Sequence, residues 1–109
     1  MSDITTHVLD TVLGLPAAQI AVRLERQDGG VWLTLAQSAT DGDGRCRDLI
    51  AGAPEGLYRL TFVVTPYLEQ LGRTSLYPEI SVTFHCDGLA HYHLPLLLSD
   101  NSYTTYRGS

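Results

Sequence analysis

Hydrophobic and polar residues alternate along most of this chain, and the alternation predicts β-strands. Successive side chains of a strand point to opposite faces, so a strand with one buried face shows an apolar residue at every second position. Tyr58, Leu60, Phe62 and Val64 share such a face. Candidate strands lie at 4–10, 20–25, 31–36, 57–64, 79–86, 91–98 and 102–107.

Turn-forming residues separate these segments. Asp28-Gly29-Gly30 and Asp87-Gly88 are typical of short hairpin connections, and the Asp-Gly-Asp-Gly sequence at 41–44 predicts a longer turn. A calcium loop is the alternative interpretation of 41–44. It fails because Ile50 stands where the bidentate glutamate of such a loop is needed.

One short helix is predicted at 65–72. Thr65 suits the cap position, Pro66 suits the first turn, and Gly72 suits the end. Seven to eight short strands with regular turns and one helix indicate an all-β fold, an antiparallel β-sandwich. The length predicts a single domain over residues 1–109.

Charge narrows the classes of function. The chain carries 12 acidic and 7 basic side chains, a net charge of −5, and every basic one is arginine. The absence of lysine excludes a Schiff-base enzyme and a phosphate loop with its lysine. The acidic balance argues against nucleic-acid or membrane partners. Charged residues make up only 17% of the chain, which favours a surface partly covered by other subunits.

Cysteine usage and the termini indicate a cytoplasmic protein. Cys46 and Cys86 are too few for a disulfide framework, and free thiols fit a reducing compartment. The first residues lack the pattern of a signal peptide. The apolar run at 94–98 is too short to span a bilayer.

Histidines supply the first candidate site. His91 and His93 point to the same face of a strand, and that face also carries Pro95 and Leu97. A half-apolar face with histidines is typical of a surface that lines a cleft or is covered by another subunit. With His7 the pair could form a three-histidine zinc site, but a metal-free polar site is the favoured interpretation.

Four motifs together resemble a known family. They lie at 6–10 (Thr-His-Val-Leu-Asp), 40–45 (Thr-Asp-Gly-Asp-Gly-Arg), 91–99 (His-Tyr-His-Leu-Pro-Leu-Leu-Leu-Ser) and 106–109 (Tyr-Arg-Gly-Ser). Over essentially its whole length the chain resembles the 5-hydroxyisourate hydrolases, the transthyretin-related enzymes of urate breakdown. Transthyretin itself, a hormone carrier, lacks the terminal tetrapeptide and these histidines.

The resemblance implies a transthyretin-like sandwich in a homotetramer, a dimer of dimers with active sites in a channel at the dimer–dimer interface. It implies hydrolysis of 5-hydroxyisourate to 2-oxo-4-hydroxy-4-carboxy-5-ureidoimidazoline, on the route to allantoin, without cofactor or metal. A small-molecule carrier without catalysis is the alternative function, and the zinc hydrolase is a third.

The family's functional residues fall on matching positions of this chain. The catalytic positions are His7, Arg45 and His93, and the substrate-binding positions are His7, Arg45, Tyr106 and Ser109. Neutral imidazole suits the removal of a proton from water, and we favour His93 as base with His7 as its orienting partner. Arg107 is expected to brace the terminal segment. The remaining arginines are expected to be surface charges: Arg23, Arg26, Arg47, Arg59 and Arg73.

Overall fold

The computed structural model describes residues 1–109 and consists of two β-sheets with one short helix. The strands are β1 (Ser2–Asp10), β2 (Leu15–Pro16), β3 (Ala21–Asp28), β4 (Val31–Ala39), β5 (Arg45–Ala53), β6 (Gly56–Val63), β7 (Ile80–Cys86), β8 (His91–Leu98) and β9 (Tyr103–Thr105). Helix α1 (Thr65–Gln70) connects β6 to β7. The predicted β-sandwich with one helix is confirmed. The structure has nine strands, including the very short β2 and β9, where seven to eight were predicted.

The two sheets have separate strand orders. One sheet has the order β2-β1-β8-β9, and β5 also pairs with β1. The other has the order β4-β3-β6-β7. All pairs are antiparallel, as predicted, except β1 with β8, which is parallel. The structure contains no helix with the length and apolar character needed to span a membrane.

The core lies between the sheets, and both contribute alternate residues to it. The predicted apolar face of β6 is confirmed, because Tyr58, Leu60 and Phe62 are at most 1% exposed. Burying one such side chain fully stabilises a fold by about 1.5–3 kcal/mol. The facing residues of β8 are Tyr92, Leu94, Leu96 and Leu98. Cys46 and Cys86 are free thiols within this core.

The two predicted hairpins have different outcomes. The Asp28-Gly29-Gly30 hairpin is confirmed, and both glycines have positive φ, as a two-residue primed turn requires. The Asp87-Gly88 hairpin is wrong, because β7 and β8 belong to different sheets and this segment crosses between them. The Tyr92 hydroxyl holds the crossover by accepting the Asp87 N–H and donating to the Asp87 carboxylate.

Strand β5 has no counterpart among the predicted strands. Its buried residues are Cys46, Leu49 and Ala53, at spacings of three and four instead of two. Register shifts interrupt the pairing of β5 with β1, and each shift turns the following side chains relative to the partner strand. The alternation that marks a strand in a sequence is therefore absent here.

The start of the helix also differs from the prediction. Val64 occupies the cap position without a side-chain bond, and the Thr65 hydroxyl instead donates to the Pro78 carbonyl at 2.7 Å. The predicted roles of Pro66 and Gly72 are confirmed, since Pro66 lies in the first turn and Gly72 has a φ of 69° just beyond the end. The Thr65 cap is therefore wrong, whereas the helix itself forms.

Candidate active site

Strand β1 brings three distant parts of the chain together. It lies between β5 and β8, and its register places His7 opposite Arg45 and Thr5 opposite His93. The intervening Thr6 is buried on the core side. Thr5 and His7 therefore share the outer face of the sheet with the neighbouring side chains of β5 and β8.

The turn at 41–44 sets the position of Arg45. The Asp41 carboxylate accepts the backbone N–H groups of Asp43 and Arg45 at 2.9 and 3.0 Å, and chiefly the second of these lowers the pKa of Asp41. Gly44 has a φ of 77° and packs so closely on the Val8 carbonyl that a Cβ would collide with it. This turn chemistry holds Arg45 at the start of β5, beside β1.

The hydrogen bond of the His7 ring to a backbone carbonyl determines which ring nitrogen carries a proton. Its Nε2 lies 2.9 Å from the Asp43 carbonyl oxygen. A carbonyl oxygen only accepts, so Nε2 carries a proton, and in the neutral ring Nδ1 carries the lone pair. The rings of His7 and His93 have centroids 6.5 Å apart, so the two imidazoles face one small region.

His93 is the candidate base with a perturbed pKa. Burial lowers its pKa, and the nearby charges of Arg45, His91 and His7 lower it further. Its Nδ1 forms a hydrogen bond with the Thr5 hydroxyl at 2.7 Å, and its Nε2 makes no hydrogen bond within the chain. His93 is therefore neutral at neutral pH and has one ring nitrogen available for water or substrate.

A cavity of about 240 Å³ opens beside these side chains. Its lining is Thr5, Thr6, Arg45, Cys46, Arg47, His91, His93 and Ser109. Three predicted site residues, Arg45, His93 and Ser109, therefore share one cavity. His7 lines an adjoining pocket together with Arg45, and Tyr106 lines another together with Ser109. All five predicted site residues thus line these three neighbouring pockets, which share Arg45 or Ser109 and are together called the groove.

Four lining residues were missed by the sequence interpretation: the buried Thr6 and Cys46, and Thr5 and Arg47 on the outer strand faces. Thr5 lies two positions before His7, and Arg47 lies two positions after Arg45. Both share an outer strand face with a predicted residue, so the two-residue period contained the signal for each. Arg47 was expected to be a plain surface charge, but it lines the cavity and also pairs with Asp41 and Asp43.

The terminal segment packs on His93. Strand β9 ends at Thr105, so the predicted strand at 102–107 is correct only over its central part. Gly108 forms an isolated bridge with His93 and donates its N–H to the His93 carbonyl at 2.7 Å. Arg107 is exposed and has no ion-pair partner, so its expected bracing role stays a prediction.

We expect Gly108→Ala to impair turnover, because a Cβ at this position would lie 2.8 Å from His93 Cδ2 and 3.2 Å from Pro95 Cγ. Either the tail or the imidazole must move, and misplacement of about 1 Å can cost about 100-fold in rate. Steady-state kinetics should show a fall in kcat of about that size. Gly42→Ala is the matched control, since Gly42 has open space around its Cα. Equal kcat values for the two variants would contradict this role of Gly108.

The three-histidine zinc arrangement is the alternative for this face. The structure contains no group of three or more histidine, cysteine, aspartate or glutamate side chains placed to hold a metal ion. The ring nitrogens of His91 and His93 instead meet the Thr5 hydroxyl. The zinc site inferred as an alternative does not assemble in this structure.

Comparison with known proteins identifies the family to which this chain belongs. The model of the HIUase/Transthyretin family matches residues 4–108, and the chain belongs to that family. Among its relatives, the 5-hydroxyisourate hydrolase of Mus musculus is 43% identical, over 99% of this chain and 96% of its own length. The predicted family resemblance is therefore confirmed.

Solved structures agree on the fold. The 5-hydroxyisourate hydrolase of Klebsiella pneumoniae superposes with a TM-score of 0.90 at 35% identity, covering 100% of both chains. Transthyretin from Sparus aurata superposes with a TM-score of 0.92 at 33% identity, covering 99% of this chain and 97% of its own. Because both scores are high, the backbone does not separate enzyme from carrier, and the side chains of the groove must do so.

Proposed function

We propose that this chain hydrolyses 5-hydroxyisourate, with the catalytic groove built from His7, Arg45, His93, Tyr106 and Ser109. The observation that carries the proposal is the meeting of Arg45, Ser109 and a neutral, half-buried His93 in one cavity. Relatives named as 5-hydroxyisourate hydrolases, matched along their full length, support the choice of substrate. Residues 1–109 act as one transthyretin-like domain in this proposal.

The chemistry follows from what each group can donate or accept. Opening a cyclic amide with water requires loss of a proton from water and stabilisation of negative charge on the carbonyl oxygen. His93 takes the proton at Nε2, and Arg45 presents planar, permanently charged donors to the oxygen. His7 offers its Nδ1 lone pair to the same water or to a substrate N–H, and so orients it.

Tyr106 and Ser109 complete the groove. Tyr106 is 53% exposed and lines the pocket that shares Ser109 with the main cavity. The phenol hydroxyl of Tyr106 and the hydroxyl of Ser109 can each donate a hydrogen bond to a substrate ring or accept one from it. We assign both to substrate binding. The Gly108 bond to His93 couples their position to that of the base.

A carrier without catalysis is the second candidate, and the TM-score of 0.92 with a transthyretin is the observation that favours it. The polar lining argues against it, because seven of the eight residues around the main cavity are not hydrophobic. Tight binding of thyroxine by the purified protein, together with no hydrolysis of 5-hydroxyisourate, would establish the carrier.

A homotetramer is also part of the proposal. Leu9 and Leu97 pair on the outer face of the sheet, and Val12, Leu13 and Leu15 in the adjoining turn and β2 are exposed by 58, 47 and 57%. Apolar surface of this kind marks a subunit contact, and here it adjoins the groove. Light scattering on the purified protein should give four subunits.

We also propose a cytoplasmic location, because the thiols of Cys46 and Cys86 are free, as expected in a reducing compartment.

Arg45→Ala is expected to lower kcat by about 10²- to 10³-fold, as loss of an oxyanion donor does. It also removes a positive charge that lowers the pKa of His93, so that pKa rises. Protonated His93 is inactive as a base, and the activity of the variant must therefore begin to fall at a higher pH as the solution is acidified. A pH profile of kcat measures both effects.

Arg23→Ala is the control for this profile, because Arg23 belongs to the other sheet and pairs there with Glu25. We expect its kcat, and the pH at which its activity begins to fall on acidification (the acid limb of the profile), to match those of the unmodified protein. An Arg45→Ala variant with near-normal kcat, or with an unmoved acid limb, would count against the assigned role of Arg45.

A further inference from the structure

One threonine hydroxyl joins the proposed base to a second histidine. Thr5 Oγ1 lies 2.7 Å from His93 Nδ1 and 2.8 Å from His91 Nε2. The two rings have centroids 6.1 Å apart. The parallel pairing of β1 with β8 creates this arrangement, since it places Thr5 opposite His93 and His91 two positions earlier on the same face.

Counting hydrogens shows that the two tautomers are coupled. A hydroxyl has one proton, so Thr5 can donate to only one of the two ring nitrogens and must accept from the other. When His93 Nδ1–H donates to Thr5, Thr5 donates to His91 Nε2, and His93 Nε2 carries a lone pair. This is the tautomer that a base acting through Nε2 requires.

The surroundings of the two rings favour positive charge on the exposed His91 over positive charge on the half-buried His93. His93 is half-buried, faces Arg45 from β5 and His7 from β1, and has a lowered pKa for these reasons. His91 is exposed, and its other ring nitrogen makes no hydrogen bond within the chain. Two other charged side chains lie on this face: Arg47, which also lines the cavity, and Asp3, which lies opposite His91 and accepts the Gly52 N–H. An imidazolium at His91 keeps more of its hydration than one at His93.

We propose that Thr5 and His91 form a proton relay that lets His93 remove a proton from water without retaining a positive charge. The inference rests on the proposed hydrolase function and extends it to two residues. Thr5 and His91 are positioning and relay residues, because in the relay they act through His93.

Three protons move in the relay, and each has a donor and an acceptor. Water gives a proton to His93 Nε2 while its oxygen bonds to the substrate carbonyl carbon, and the carbonyl electron pair moves to the oxygen facing Arg45. The Nδ1 proton of His93 passes to Thr5 Oγ1, and the Thr5 proton passes to His91 Nε2. As the C–N bond breaks, its electron pair takes the proton from His93 Nε2, and the other two protons return along the same path.

Thr5→Val and Thr5→Ser form the test pair, because valine keeps the shape of threonine without its hydroxyl and serine keeps the hydroxyl. We expect kcat to fall by about 10- to 100-fold in Thr5→Val with KM unchanged, and serine to restore it to within about threefold. Both residues are compatible with a strand. Thermal unfolding of both variants is the check that they fold. Equal kcat values for the two variants would overturn the relay.

His91→Gln gives an independent arm, since glutamine cannot take up the proton. A relay predicts the same loss as in Thr5→Val and no further loss in the double variant, because both changes break one path. Losses that multiply in the double variant would overturn the relay.

Nitrogen-15 NMR of the imidazoles separates failure of the relay from failure of the proposed function. In the unmodified protein and in Thr5→Ser, titrating His91 should change the tautomer of His93, whereas in Thr5→Val the two rings should titrate independently. Independent titration in the unmodified protein would overturn the relay. An unmodified protein that shows the coupling but does not hydrolyse 5-hydroxyisourate would overturn the proposed function instead.

Discussion

His93→Ala should lower kcat for 5-hydroxyisourate by about 10²- to 10⁴-fold, the contribution of a positioned general base. The expectation rests on the lowered pKa of His93, its unbonded Nε2 and its place in the cavity with Arg45. KM should change far less than kcat, because substrate contacts come mainly from Arg45, Tyr106 and Ser109. Steady-state kinetics on folded protein, checked by circular dichroism, measures the effect.

His85→Ala is the matched control for this substitution. His85 is an exposed histidine of β7, on the other sheet, so its loss should leave kcat unchanged. The unmodified protein should lose activity as the pH falls below the lowered pKa of His93, and therefore below 6.5, the ordinary value for histidine. A His93→Ala variant with at least a third of the normal kcat would remove His93 from the mechanism.

Asp10→Ala should destabilise the fold by about 3–5 kcal/mol, the typical cost of removing one partner of a buried ion pair. The Asp10 side chain is fully buried and receives two bonds from Arg73, whose side chain is only 13% exposed. Tyr67 donates to the same carboxylate at 2.8 Å, and the N–H groups of Val12 and Leu13 donate to its other oxygen. Without Asp10, Arg73 keeps only Asp100 as a partner.

This cluster fixes the end of β1 against the helix and the turn that follows β8. Burial alone would raise the pKa of Asp10, but the bonds from Arg73, Tyr67 and Leu13 outweigh burial and lower it. Burial and the bond to Asp10 raise the pKa of Tyr67 to about 12, so its phenol stays a donor. A lowered folded-state pKa stabilises the protein above the ordinary value of 3.8, and that stabilisation is lost as the pH falls through the folded-state pKa.

Urea unfolding at fixed protein concentration measures the effect of Asp10→Ala. Asp48→Ala is the control, because Asp48 is exposed and makes no ion pair, and its effect should stay within about 0.5 kcal/mol. If Asp10→Ala destabilised the protein no more than Asp48→Ala, the cluster would have no structural importance.

The strands that pair regularly could be predicted from the sequence, and those with irregular pairing could not. Alternation identified the buried face of β6 because that strand pairs without a shift on both sides. It failed for β5, where register shifts change the spacing of buried residues. In β4 it found the strand but not the burial, because Val31, Leu33 and Leu35 are exposed on an edge strand that also carries a register shift.

Three-dimensional pairing decided what the sequence left open around the site. The motifs identified His7, Arg45 and His93, yet only the pairing of β1 with both β5 and β8 places them together. Thr5 carries no motif of its own, and its contact with two histidines arises from a parallel register that local sequence does not encode. Arg73 was expected to be a surface charge, but its partners Asp10 and Asp100 are remote in sequence and adjacent only in the fold.

Hydrolysis of 5-hydroxyisourate can be followed directly by the ultraviolet absorbance of the freshly generated compound, with and without the purified protein. With the protein present, decay should be much faster than the spontaneous rate, in proportion to protein concentration, both before and after treatment with a chelator. His93→Ala should remove nearly all of this acceleration. Decay at the spontaneous rate with the folded, unmodified protein would show that the chain is not a 5-hydroxyisourate hydrolase.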